Sequence, residues 1–192
     1  MKRGTSAGGT VGEGVARRIW IRGTSGAGKT TLAFELGRLL DIPAVDLDDL
    51  NWLPGWTERP VEEFRALVAD VADRPEWAIA GNYGKASEFI APRADMVVWL
   101  DYPFAVVFGR LVRRTFRRAA RGEECCNGNR EDVLRTLFHR DSILWWCVTT
   151  HRKRHLQCLE HIAEDPMPGQ TRVRHRSPRE TKEWLRTLKF RQ

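Results

Sequence analysis

Residues 23 to 30 read Gly23-Thr24-Ser25-Gly26-Ala27-Gly28-Lys29-Thr30, a full fit to G-x-x-x-x-G-K-[ST]. A short apolar run, Ile19 to Ile21, precedes it. Lys29 to Leu40 follows with a helical pattern that stops before Pro43. Strand, glycine loop and helix in that order describe a phosphate-binding loop. Glycines let successive N–H groups turn toward one oxyanion. A helix starting near Lys29 adds its positive end. Lys29 supplies a point charge to the outer phosphates, and the Thr30 hydroxyl can ligate Mg2+. The residues expected to hold a nucleotide are Gly23, Ser25, Gly26, Ala27, Gly28, Lys29, Thr30 and Thr31.

Beyond the loop, short apolar runs alternate with amphipathic stretches. Strands are expected at Ala44 to Leu47, Trp77 to Ala80 and Met96 to Leu100. The last of these is apolar throughout, which suits a strand buried on both faces. Thr171 to Arg176 alternates with a period of two and reads as an edge strand with one solvated face. Helices are expected at Val61 to Ala72, from Phe104 to about Ala120, from Arg130 to Trp146, from Arg152 to Ala163, and after Pro178 with Ser177 as N-cap. Arg121 to Asn129 reads as a loop. The alternation predicts an α/β fold with three layers, α/β/α, around a five-stranded parallel sheet.

At 192 residues the chain suits one domain, expected over 16–192, with 1–15 as a disordered tail rich in Gly, Ser and Thr. No apolar run approaches the roughly 18 residues that span a bilayer. The N-terminus lacks the apolar stretch of a secretory signal. Cys125, Cys126, Cys147 and Cys158 form no C-x-x-C pair, so reduced thiols and a cytoplasmic location are expected. A net charge of +7 favours anionic partners.

The second strand ends Asp46-Leu47-Asp48-Asp49. Strand C-termini of a parallel sheet face the ligand crevice, and Asp46 and Asp48 point the same way along a strand. One carboxylate can hold a Mg2+-bound water and the other can take or position an acceptor proton. A solvated turn or helix cap is the bland alternative. Asp101 follows the apolar strand and is a further metal-ligand candidate, with a strand-end turn as the alternative.

Several motifs occur in order: the phosphate loop, Asp46-x-Asp48, Trp52 to Trp56, Gly81-Asn82-Tyr83, Pro92-Arg93-Ala94-Asp95, Val97 to Asp101, an arginine-rich helix and Asn127-Gly128-Asn129-Arg130-Glu131. Together these resemble the P-loop family labelled DNA-topology modulation proteins, or adenylate-kinase-like proteins, related to nucleoside-monophosphate and shikimate kinases. The resemblance covers about residues 17 to 190. It implies sheet order 2-3-1-4-5, a helical lid at about 113–135, and phosphoryl transfer from ATP with Mg2+ to a small acceptor. On that likeness Lys29, Asp48, Arg114, Arg130 and Arg140 are expected to be catalytic. Arg110 and the backbone near Ser177 and Pro178 are expected to hold ATP. Asp48, Trp52, Asn82, Tyr83 and Arg93 are expected to meet the acceptor, and Thr30, Asp46 and Asp101 the metal. Relatives usually read Asp-Gly-Asn-Tyr where this chain has Ala80-Gly81-Asn82-Tyr83, so a helper of the Mg2+ water shell is missing.

Arg110, Arg113, Arg114, Arg117, Arg118 and Arg121 fall at helical spacing and predict one cationic stripe. A bound polyanion would relieve its self-repulsion, whether ATP or nucleic acid. The rival function is therefore a nucleotide-dependent nucleic-acid-binding protein. His151, His155 and Cys158 share a helix face but sit among Arg152, Lys153 and Arg154, which oppose a metal. Trp20, Trp77, Trp99, Trp145 and Trp146 are expected in the core. Trp52 and Trp56 can stack a flat acceptor. The partners expected are a nucleotide and a small acceptor, with no membrane and a monomer or weak homodimer.

Overall fold

The computed structural model describes residues 16–130, 143–163 and 167–189. The expected tail, Arg140 and the 131–135 part of the expected lid lie outside them. The elements run β1 (Arg18–Gly23), α1 (Lys29–Leu40), β2 (Ala44–Asp46), α2 (Leu47–Asn51), β3 (Trp52–Leu53) and β4 (Thr57–Glu58). Next come α3 (Val61–Ala72), β5 (Trp77–Ala80), α4 (Gly84–Ile90), β6 (Met96–Leu100) and α5 (Phe104–Arg121). The chain continues with β7 (Glu124–Cys125), β8 (Asn129–Arg130), α6 (Ile143–Ala163), β9 (Thr171–His175) and α7 (Pro178–Lys189).

Five strands form one parallel sheet in the order β2-β5-β1-β6-β9. Counted among themselves these are 2-3-1-4-5, the expected order. The register sets Asp46 beside Ala80, Ala80 beside Ile21, and Gly23 beside Leu100. The C-terminal strand ends therefore share one edge, and the glycine loop leaves from its centre.

Period-two alternation divides the core between the two faces. Ile19, Ile21, Met96, Val98 and Leu100 pack with Leu32, Ala33 and Leu36 of α1, and Trp184, Leu185 and Leu188 of α7 join them. Trp20, Trp77, Ile79 and Val97 pack with Phe64 and Val68 of α3 and Ala86 and Ile90 of α4. Helices on both faces are what parallel crossovers require. The buried indoles of Trp20 and Trp77 donate to the carbonyls of Gly81 and Ala72, so neither leaves a polar atom unsatisfied.

The structure departs from the sequence reading in several places. β2 stops at Asp46 because that carboxylate accepts the Asp48 N–H and caps α2. The two helices expected around residue 150 are, within the described residues, the single helix α6. Thr149 does not break it, since its hydroxyl donates back to the Trp145 carbonyl. Trp145 is exposed rather than core. The segments around Trp52 to Trp56 and Arg121 to Asn129 are two short hairpins, β3–β4 and β7–β8. β9 is the edge strand, but its arginine face is packed: Arg174 lies 4.4 Å over the Trp99 ring. No helix among the described residues is long and apolar enough to cross a membrane.

Candidate functional site

The loop between β1 and α1 takes its shape from glycines. Gly23, Gly26 and Gly28 have φ of 151°, 86° and 97°, values that side chains disfavour. A Cβ on Gly26 would stand 2.3 Å from the Val107 carbonyl oxygen, so the loop closes against α5. Asn82 clamps the start of the loop. Its Oδ1 accepts the Gly23 N–H at 3.2 Å, and its Nδ2 donates to the Gly23 carbonyl at 2.5 Å. Arg154 of α6 donates to the Asn82 carbonyl at 3.2 Å. Asn82 thus shapes the phosphate loop rather than offering its amide to an acceptor.

Lys29 opens α1 and donates to the Thr24 carbonyl at 3.3 Å. Burial pushes its ammonium below the ordinary lysine range, and Arg114 adds to that push while Asp48 and Asp46 oppose it. A charge held at a desolvation cost is one that a phosphate would stabilise. The Thr30 hydroxyl donates to Asp46 Oδ2 at 2.5 Å. The Asp46 carboxyl is pushed up to about 6, by burial and then by the Asp48 charge. Asp48 accepts the Tyr83 hydroxyl at 2.7 Å. Burial and then the Asp48 charge push that phenol well above its usual range, so Tyr83 is a proton-bearing donor. Lys29, Thr30, Asp46, Asp48 and Tyr83 are therefore brought together.

The arginine stripe divides into two rows. Arg110 donates to the Ala27 carbonyl at 3.1 Å, Arg114 acts on Lys29, and Arg118 acts on the Asp49 carboxylate. These three, four residues apart, line the site. Arg117 and Arg121 instead share Glu123, each at 3.5 Å. The stripe is therefore not a run of six unpaired cations.

Other expected positions lie elsewhere. Arg93 sits before β6, at the edge of the sheet opposite the loop, and pairs with Asp73 at 2.7 Å. It cannot meet an acceptor at the loop. Arg130 pairs with Glu124 at 3.0 Å and is exposed. Asp101 gives one oxygen to Arg174, at 2.9 and 2.5 Å, and the other to His155 at 2.7 Å. Both its oxygens are engaged by cationic or hydrogen-bonding partners, which explains the charge at the strand end without a metal. Ser177 caps α7 through the Glu180 N–H at 3.2 Å. One residue away, Arg176 lines a cavity of about 440 Å3 with Tyr102, Pro103, His151, His155 and Arg174. Trp52 and Trp56 meet edge-on at 5.7 Å in the β3–β4 hairpin. The Asn82 clamp, Arg154 and Arg174 are site supports that no local sequence pattern announces.

No family model matches the chain. The uncharacterized protein YqaC of Bacillus subtilis (strain 168) is 28% identical over 129 residues, 66% of this chain and 72% of that protein. The fold resembles shikimate kinase from Bacteroides thetaiotaomicron, with a TM-score of 0.55 at 18% identity over 92% of this chain and 98% of that one. Shikimate kinase from Acinetobacter baumannii in complex with shikimate gives 0.55 at 16% identity, over 90% of each chain. The parallel sheet, its strand order and these likenesses together show that the chain has the shikimate-kinase-like P-loop fold.

Proposed function

We propose that this protein is a small P-loop kinase of the adenylate-kinase-like branch, moving the γ-phosphoryl of ATP to a small acceptor. The acceptor is a nucleoside monophosphate or a similar small compound bearing a hydroxyl or phosphate. The observation that carries this reading is the convergence of Lys29, the Thr30–Asp46 pair and Asp48 on one edge of the glycine loop. A loop that merely bound nucleotide would not need a second carboxylate held by a phenol beside it.

The residues fit a Mg2+ nucleotide. Mg2+ takes one or two carboxylates and leaves its other positions to water and phosphate. Thr30 and Asp46 supply that much, and among the described residues no cluster of three or more His, Cys, Asp or Glu offers a dedicated cage. When bound, the ion neutralises charge on the transferring phosphoryl. Lys29 and the loop N–H groups hold the outer phosphates, and Arg110 and Arg114 add cations on the α5 side. Asp48 orients the acceptor and takes its proton, with Tyr83 fixing the carboxylate. The base end of ATP would enter the cavity lined by Arg176, the residue that precedes Ser177 and Pro178 in the chain. The four free cysteines support a reducing, cytoplasmic setting.

The test is ADP release from Mg-ATP across nucleoside monophosphates and small hydroxy-acids, with Lys29→Ala alongside. Stimulation by one acceptor, lost in the variant, is expected. Stimulation that survives Lys29→Ala would come from a contaminant and remove the reading.

A further inference from the structure

Two hairpins distant in sequence grip each other beside the carboxylates. Asn129 of β8 is 5% exposed and uses both ends of its amide. Its Oδ1 accepts the Trp56 N–H at 2.9 Å, and its Nδ2 donates to the carbonyls of Leu53 at 3.0 Å and Cys126 at 2.7 Å. Around it, Asn127 donates to the Trp52 carbonyl at 3.3 Å, and the Trp56 indole donates to the Arg130 carbonyl at 3.2 Å. The Asn127 N–H also reaches the Asp49 carboxylate, which Arg118 of α5 faces. The four bonds from hairpin to hairpin join positions 73 to 76 residues apart.

We infer that Asn129 is a latch joining the β7–β8 hairpin to the β3–β4 hairpin, so that the two hairpins open and close beside Asp48 as one body. Asn129 is a positioning residue, since it reaches the site only through Trp56 and Leu53. The contacts across the seam are hydrogen bonds, which water can replace when the seam opens. Both turns are held in conformations that side chains disfavour. Trp56 has φ of 57°, Cys126 of 46° and Asn127 of 64°. Trp56 keeps that backbone while its N–H rests on Asn129 and its indole on Arg130, so parting the latch releases it. The amide serves Trp56, which donates, and both Leu53 and Cys126, which accept, a set that a single hydroxyl with its one proton cannot fill. That the hairpin is the acceptor's rests on the proposed kinase reading; the link between the hairpins does not.

The experiment is hydrogen exchange on the full-length protein without ligand, read by mass spectrometry. In Asn129→Ala, segments 52–58 and 124–130 are expected to exchange together, roughly tenfold faster than in the wild type. Segments 18–24 and 77–83 are expected to keep their protection. Loosening of 124–130 alone, or of neither hairpin, overturns the latch. Should Asn129→Ala loosen every segment, Asn127→Ala decides, because it gives up one bond at the exposed rim. Joint loosening then supports the latch, and loosening of 124–130 alone overturns it. Where an acceptor supports ADP release, Asn129→Ala is expected to raise the acceptor KM roughly tenfold and leave the ATP KM unchanged. An equal rise in both overturns the positioning role. Failure to find any acceptor counts against the kinase reading, and the exchange result still decides the latch.

Discussion

Replacing Asp46 with asparagine separates the charge of that side chain from its hydrogen bonding. In the folded, metal-free protein the carboxyl is pushed up to about 6, by burial and then by the charge of Asp48. The Thr30 hydroxyl, the Asp48 N–H and Lys29 pull the other way without overcoming this. Unfolded, the group titrates at roughly 3.9. The folded chain therefore binds this proton more tightly than the unfolded chain does. The contribution of this one group to stability is highest below about pH 4, falls as pH rises toward about 6, and levels off above that. The fall amounts to about 3 kcal/mol. Asparagine keeps an acceptor for the Asp48 N–H and carries no charge to desolvate. In EDTA, Asp46→Asn is thus expected to exceed the wild type by up to about 3 kcal/mol at pH 8, with the gap closing toward pH 4. For a chain of this length that is a Tm gap of roughly 6 to 12 °C. Thermal melts followed by circular dichroism from pH 4 to pH 8 read it directly. The same variant is expected to lose ADP release. Melting curves that run parallel with pH, or a gap that widens toward acid, would refute the reasoning.

Two further predictions concern the frame around the site. Asp95 accepts the N–H groups of Arg17 and Arg18 at 3.1 and 2.9 Å and the Arg18 guanidinium at 2.7 Å. Burial raises its carboxyl, but these partners outweigh burial and hold it below the usual range. Its stabilisation is therefore present at neutral pH and lost as pH falls through the depressed value. Because the ion pair is partly exposed, Asp95→Asn is expected to cost only about 1–2 kcal/mol at pH 7. Urea melts should show the difference shrinking as pH falls below the ordinary carboxylate range, and a loss that does not change with pH would contradict the assignment. Ala80 is fully buried and stands beside Asp46 in the register. Ala80→Asp is expected to lower Tm in EDTA, to recover it with millimolar Mg2+, and to raise turnover. A Mg2+ titration showing no gain in affinity would leave the missing aspartate without consequence.

The β1–loop–α1 unit was legible because a glycine pattern and two periodicities sit within one short stretch. β6 was legible because five consecutive apolar residues suit few places other than the middle of a parallel sheet. The two hairpins were not, since two-residue strands are too short to show a period. The Asn82 clamp joins positions 59 residues apart, beyond any local pattern. Arg93 was misplaced although topology held the answer: residues that precede a parallel strand lie at the edge away from the ligand. Helical spacing put six arginines on one stripe. It did not say that Arg110, Arg114 and Arg118 would face the loop while Glu123 drew off Arg117 and Arg121.

Asp46 and Asp101 show where the strand-end rule stops working. Both carboxylates end a strand at the edge that carries the glycine loop, so the rule nominates both. Asp46 meets a hydroxyl from 16 residues away, in the first turn of α1, and Lys29 does not offset the cost of burial and of the second carboxylate beside it. Asp101 meets His155 and Arg174, 54 and 73 residues away, and its charge is matched inside the protein. A carboxylate whose charge is only partly offset, next to a hydroxyl, is a place where an added cation gains most. A carboxylate already forked by a guanidinium would have to give up that pair to receive one. The difference between a candidate metal ligand and a structural ion pair therefore lies in partners that only the fold supplies.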